Sequence, residues 1–538
     1  LCFIADIEDN FLETKMRQIA IYIITASLFS FGSILAKESP YPPDVTQALE
    51  KADSNRVELE KVIEHYKTDP DTLKLLATYY LIGNMEGHSY MVFGLYDSAR
   101  TEVAFNVLDY ANYDSLLKGW DKLEKENPGL DFDKKENTED LNAIKGDFLI
   151  KQIDLAFQAW HEKPWAKGLT FDQFCEFVLP YRGSNEPLED WRQMFYDKYK
   201  GLESKMIDPT DPVEAARLIN NDVKTYFTFD PRFYYHPTDE GLSEMLSAHL
   251  GRCEDMTNIA IYAMRANGLA VTSDYTPFWA NSGNNHAWNA ILTPSGKVIP
   301  FMGAEANPGE YKLWNKLAKV YRKTYAQQKN NLIFQERKQK KVPGWLGGKS
   351  YIDVTSDYVQ TYDITVSIEE PTPDSVDVAY ICVFNSGQWQ PIQWGWIRDG
   401  SVKFDAMGAD IAYLPAYFVD ADSITAAAPP FILASDGSMK KLASSDDKTE
   451  SVQLMSTTSK ALAVSTDGVV QAAFKAGKEY ELFYWDGDWR SLGKAVAADK
   501  PIIFDSVPSG DLYWLVETDS DREERIFTID GTGKQVWW

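Results

Sequence analysis

The sequence predicts a multidomain chain with an α-helical N-terminal region, an α+β core and two C-terminal β-sandwich domains. Three observations predict it. Apolar residues recur at helical spacing from about residue 40 to 200. Between Tyr226 and Pro308 helix and strand patterns alternate. Past Tyr351 the pattern is β throughout, and it repeats at a constant separation of 100 residues. A chain of 538 residues also exceeds what one hydrophobic core supports.

Residues 1–36 read as an export signal with an upstream extension. Lys15 and Arg17 supply a positive flank, Gln18–Ala36 is uncharged, and small residues near Ala36 suit a signal peptidase. Met16 then reads as the start, with Leu1–Lys15 as upstream translation. A retained anchor competes with this reading, but a spanning helix wants about 20 apolar residues, so cleavage is preferred. The expected location is secreted, periplasmic or at the cell surface, and the mature chain is not expected to be an integral membrane protein.

Residues 37–205 form the helical region, with helices expected over Val45–Tyr66, Asp71–Leu81 and Thr138–Trp160. The core is placed at 206–336, with a basic linker from Arg337 to Gly348. The β domains are placed at 350–445 and 446–538. Their repeat is carried by Phe384–Trp389 and Tyr484–Trp489, by Val402–Asp405 and Ile502–Asp505, and by Tyr413 and Tyr513. Superposition is expected to bring Trp389 onto Trp489 and Phe404 onto Phe504, each facing a core.

A net charge of −26 excludes a nucleic-acid partner, because phosphate backbones need a basic footprint. Six scattered histidines without His-x-x-x-His, no Cys-x-x-Cys and no Gly-x-x-x-x-Gly-Lys loop leave no case for a metal or another cofactor. Removal of the signal takes Cys2 and leaves Cys175, Cys253 and Cys382, too few for a disulfide framework. Cys175 and Cys382 stand in apolar runs and are expected in cores.

Cys253 differs. It opens the helix expected from Gly251-Arg252-Cys253-Glu254-Asp255 to Asn267, with Gly268 as its cap. Aligned backbone N–H groups at a helix start favour the thiolate. Downstream, Ala270–Tyr275, Asn284–Ile291 and Lys297–Met302 read as strands. Pairing Leu292 with Lys297 sets His286 opposite Gly303, give or take one residue. The acid within reach of that point is Glu305. A helix-start Cys, a strand His and a carboxylate near its hairpin mate form a rare set.

Gly-Arg-Cys-Glu-Asp followed 33 residues after the Cys by Asn-His-Ala-Trp resembles the transglutaminase-like superfamily, a papain-related group of thiol hydrolases and acyltransferases. The resemblance covers about Asp208 to Tyr311. It implies that Cys253 attacks a carboxamide or peptide carbonyl and that His286 shuttles the proton. It also implies a protein, peptide or glycopeptide substrate. The family places an Asp near Met302, where this chain reads Ile-Pro-Phe-Met-Gly-Ala-Glu. Either Glu305 reaches back as the third member or the triad is incomplete, and Glu305 is preferred. Phe174–Arg182 and Glu186–Arg192 resemble the segment preceding the core in Bacteroidetes members; otherwise they read as a helix with a surface Arg–Glu pair. The expected function is an exported thiol enzyme acting through Cys253, His286 and Glu305. The alternative is an inactive domain of the same fold that binds glycan or protein.

Overall fold

The computed structural model describes residues 39–420, 423–443, 445–464, 470–498, 500–518, 520 and 524–538. The expected export signal and Cys2 lie outside the described residues. Asp44–Trp538 forms one compact unit, separate from Leu1–Pro43, and carries everything that follows. No described helix is long and apolar enough to cross a membrane.

The N-terminal region is helical, with α1 (Arg56–Tyr66), α2 (Thr72–Gly83) and α3 (Gly146–Glu162) packed together. The expected continuous helix Val45–Tyr66 is broken at Asp53, whose φ is +47°. There the Asn55 amide donates to the carbonyls of Leu141 and Ile144 and ties the break to the chain ahead of α3. The expected helix over Thr138–Trp160 begins late, because residues up to Glu139 belong to an antiparallel ribbon of β1 (Ser89–Tyr96) and β2 (Asp131–Glu139). Alternating charge in β2 suits a ribbon open to water on one side.

Arg182, Glu186 and Arg192 are buried rather than forming a surface pair. Arg182 is held by Asp140, with Nε to Oδ2 at 2.9 Å. Arg192 donates to Gln152 in α3 and to the carbonyls of Val178, Leu179, Pro180 and Arg265. Buried charge is tolerable only when its donors are satisfied. These arginines therefore pin the helical region to the C-terminal end of the core's central helix.

That helix, α5 (Cys253–Arg265), is buried along its whole length apart from Glu254. It packs on β3 (Val271–Thr276) and β4 (His286–Leu292). With β5 (Val298–Phe301), β6 (Tyr321–Lys323) and β7 (Tyr351–Asp353) these make an antiparallel sheet in the order β5-β4-β3-β6-β7. β7 lies in the stretch expected to open the first β domain, yet it closes the core sheet. A helix α4 (Pro212–Val223) packs beside α5.

The two β domains are sandwich-like and share their main strand pairings; among the described residues the first runs as one eight-stranded sheet, whereas the second divides into a five-stranded sheet and smaller two-stranded ones. The first pairs β8 (Thr361–Ser367) with β11 (Ser401–Gly408), β9 (Val378–Asn385) with β10 (Gln388–Arg398), and β9 with β12 (Ile411–Asp420). β12 continues to β13 (Phe431–Leu433) and β14 (Met439–Lys441). The second repeats each pairing. β15 (Ser445–Leu454) joins β18 (Ile502–Ser509), while β16 (Glu479–Trp485) joins β17 (Trp489–Val496) and β19 (Tyr513–Glu517). β20 (Ile526–Ile529) and β21 (Gln535–Trp537) complete it. The hydroxyls of Tyr413 and Tyr513 each donate to the carbonyl five residues earlier, at Gly408 and Pro508. Ala406 and Ser506 both take positive φ, +51° and +60°. Phe404 and Phe504 face the two domain cores, whereas Trp389 and Trp489 meet at the junction between the domains.

Candidate active site

The sequence determines where Cys253 sits. Arg252 is extended, with φ −89° and ψ −175°, and its N–H donates to Asp255 Oδ2 at 2.9 Å. Asp255 Oδ1 also accepts from the Glu240 N–H at 3.0 Å. The carboxylate thus satisfies donors that the helix start leaves open. At the far end Gly268 has φ +71°, a conformation that glycine adopts without steric cost, and lets the chain turn into β3.

Cys253 is buried, 3% exposed. Its thiol donates to Glu254 Oε2 at 2.9 Å, and the Ala287 N–H is directed at the sulfur. Burial pushes the thiol well above its ordinary pKa and the Glu254 carboxylate pushes it further, against the opposing pull of the Ala287 N–H and Arg252. The thiolate bias expected of a helix start is overridden, because loss of solvation outweighs the helix field. At rest this is a protonated thiol.

His286 opens β4 opposite Thr276. Its Nε2 lies 2.6 Å from the Tyr311 hydroxyl, and Nδ1 carries no hydrogen bond among the described residues. The ring lies between Trp279, stacked at 5.8 Å, and Trp288 at 5.9 Å. Burial lowers its pKa, with Glu254 opposing, so at neutral pH the imidazole is neutral. Cys253 and His286 are brought to one place, since the sulfur meets the backbone of the residue that follows the histidine. No hydrogen bond joins sulfur and ring among the described residues.

Glu305 is not brought to the ring. Hairpin pairing sets Leu292 opposite Val298, one residue from the expected register, and the ladder ends at Asn289 and Phe301. The chain then folds back in a tight turn: the Met302 N–H donates to the Ala306 carbonyl at 2.9 Å, and Ala304 has φ +57°. Asn289 Oδ1 accepts from Gly303 and Asn220 Oδ1 from Ala304, which fixes the turn to β4 and α4. A Cβ on Gly303 would lie 2.2 Å from the Met256 carbonyl oxygen, so the turn presses directly on α5. Glu305 is exposed on that turn, and no hydrogen bond or ion pair joins it to His286 among the described residues; its charge is felt instead by Tyr311, whose pKa is raised first by burial and then by Glu305. The group on the imidazole is Tyr311, on the irregular segment beyond β5. No periodicity or motif marks it in the sequence.

Beside His286 opens a cleft of about 570 Å³ whose lining includes Glu254, Arg252, Asp239, Tyr275, Phe278 and Trp345. It mixes apolar rings with charged groups, as a site that grips a peptide-like chain would. Cys175 and Cys382 are buried, and burial alone raises the pKa of Cys382. No group of three or more His, Cys, Asp or Glu among the described residues could hold a metal ion.

Residues 202–301 match the family profile described as the transglutaminase-like superfamily. No curated protein matches the chain. Among solved structures, a candidate cysteine protease from Cytophaga hutchinsonii matches with 15% identity and a TM-score of 0.16, covering 21% of this chain. The match spans 38% of that protein's length. Red sea bream transglutaminase matches with 9% identity and a TM-score of 0.18, covering 84% of this chain and 77% of its own.

Proposed function

We propose, from the premise that residues 202–301 form a transglutaminase-like domain, that this protein is a thiol enzyme in which Cys253 is the nucleophile and His286 its base. The single observation that carries the reading is the meeting of a helix-start sulfur with the backbone that follows a strand histidine, at the end of an open cleft.

In the tautomer with its proton on Nε2, the ring donates to the Tyr311 hydroxyl oxygen and Nδ1 is open to take the thiol proton; this is the tautomer the reading requires. As the sulfur attacks the carbonyl carbon of a peptide or side-chain amide, its proton passes to Nδ1. The C–N bond then breaks, the leaving nitrogen takes the proton, and a thioester remains on Cys253. Water or an amine resolves the thioester and restores the thiol. The Ala287 N–H beside the sulfur is placed to steady negative charge as it develops. A thiol held neutral at rest suits a mechanism in which proton transfer accompanies attack. Protein or peptide is the proposed substrate. Export is proposed from Lys15, Arg17 and the uncharged run 18–36.

The test is labelling by iodoacetamide. Cys253→Ala should abolish labelling of the native protein while leaving its melting temperature within a few degrees. Equal labelling of Cys175 or Cys382 at neutral pH would count against special reactivity at Cys253. Adding a primary amine to a glutamine peptide separates the acceptors, since ammonia release with amine incorporation means transfer and without it means hydrolysis. The second reading, an inactive binding domain, is favoured by the lack of a carboxylate hydrogen-bonded to His286 among the described residues; it predicts no labelling at Cys253 under native conditions.

A further inference from the structure

We infer that the first β domain is part of the catalytic unit, through Asn385 as a positioning residue for the loop that delivers His286. The inference rests on the thiol–imidazole reading above.

The loop runs from Trp279 to Asn285, between β3 and β4. Trp279 stacks on His286, and Asn284 and Asn285 line the cleft. Two residues before His286, Asn284 takes φ +67°, a left-handed conformation that must be held by its surroundings. Its carbonyl accepts from the Trp279 N–H at 3.1 Å, which closes the loop on itself. Within the core, the Ala280 N–H donates to the Lys316 carbonyl at 3.2 Å and the Lys316 N–H to Asn281 Oδ1 at 2.7 Å. Further hold comes from the first β domain. The Asn385 side-chain nitrogen, at the end of β9, lies 3.0, 2.9 and 2.9 Å from the carbonyl oxygens of Trp279, Ser282 and Asn284. Asn385 is 2% exposed, so these contacts are shielded from competing water. From the second β domain, the Arg525 guanidinium donates to the Ala280 carbonyl at 2.6 Å.

The internal duplication supplies a comparison. The equivalent of Asn385 in the second domain is Trp485, which packs among Trp389 and Trp489 and touches no part of the loop. The hairpins themselves differ by one residue: Asn385 faces Gln388 across the two-residue turn Ser386-Gly387, whereas Trp485 faces Trp489 across three residues. The amide is explained by what it holds, which is the Trp279–Asn284 loop.

Displacing this loop moves Trp279 and His286 relative to the sulfur, and a shift of about 1 Å at a reacting group costs up to ~100-fold in rate. The experiment measures iodoacetamide alkylation of Cys253 in the full chain against pH, with melting curves alongside. His286→Ala sets the share of the rate that the imidazole supplies. Asn385→Leu keeps the volume and removes the donors. It should stay folded and lower the neutral-pH rate about tenfold, moving its pH profile towards that of His286→Ala. Asp486→Ala, at the matching turn of the second domain, should leave the profile unchanged. Should Asn385→Leu fail to fold, Arg525→Gln, which withdraws the hold on Ala280, carries the same expectation. A folded Asn385→Leu or Arg525→Gln whose profile superimposes on wild type, while His286→Ala departs from it, overturns the positioning role. A His286→Ala profile equal to wild type overturns the thiol–imidazole pair itself.

Discussion

At the scale of single residues, the imidazole meets a phenol, with no carboxylate hydrogen-bonded to it among the described residues. A carboxylate on Nε2 would favour imidazolium strongly; a neutral hydroxyl, which can donate or accept, orients the ring but adds no charge. The buried ring therefore stays neutral, and the buried thiol beside Glu254 stays protonated. This arrangement predicts that Tyr311→Phe lowers the Cys253 alkylation rate or turnover about 10- to 100-fold, the range expected when an orienting contact is lost. Glu305→Gln, on the solvent side of its turn, should change neither by more than about twofold. The reverse ranking would return Glu305 to the site. Cys253 and His286 were legible because their chemistry is written in short contiguous patterns, a helix start and a strand start. Tyr311 was not, because its approach to His286 depends on the turn at 302–306. That turn is fixed by the long-range contacts of Asn289 and Asn220, which no local pattern encodes.

At the scale of elements, the start of α5 is built over buried acids. Asp255 is spent on two backbone N–H groups, and Glu240 lies beside it, with neither of its own oxygens hydrogen-bonded among the described residues. Burial raises the Glu240 pKa, and the neighbouring Asp255 and Glu244 raise it further against the pull of Arg252. Glu240 is therefore a protonated acid in the folded protein. In the unfolded chain it ionises above about pH 4.3. Its folded pKa being the higher, the stability tied to it is fully present below that value and is lost as pH rises towards the folded pKa. Glu240→Gln removes this dependence. The melting temperature of the variant relative to wild type should accordingly climb steadily between about pH 5 and 9; a difference that is flat across that range would show Glu240 to be ionised in the fold. The elements themselves were legible to differing degrees. The α5 helix and the β4–β5 hairpin carry their caps and turns in sequence, and their register was off by one residue. The β1–β2 ribbon was hidden in a stretch that reads as helix, since β2 is almost wholly charged and polar and has no apolar alternation to betray it.

At the scale of the whole molecule, the duplication was visible because turn glycines and core aromatics kept their spacing, but how the copies join was not. They do not hang as separate beads. Phe384 and Trp389 of the first domain pack against Trp485 and Trp514 of the second, with Phe384 and Trp514 rings 5.1 Å apart, and Leu332 and Leu346 from the segment after β6 enter the same cluster. One buried cluster thus draws on the core's trailing segment and both β domains. Burying such rings contributes on the order of 2–3 kcal/mol for each, beyond what a weak interdomain contact provides. Arg525 extends the link to the loop before His286. Stability should therefore be shared rather than divided by domain. A chain ending at residue 443 would expose Phe384 and Trp389 together and lose Arg525. We expect it to aggregate, or to melt at least ~10 °C below the full chain, with the core and first domain destabilised alike. In the full chain, calorimetry should record the core and β domains unfolding in one transition, and limited proteolysis in the 337–348 segment should release no stable β fragment. Two well-separated transitions, or a truncated chain with the thermal stability and Cys253 alkylation rate of the whole, would mean that the second domain is an independent module.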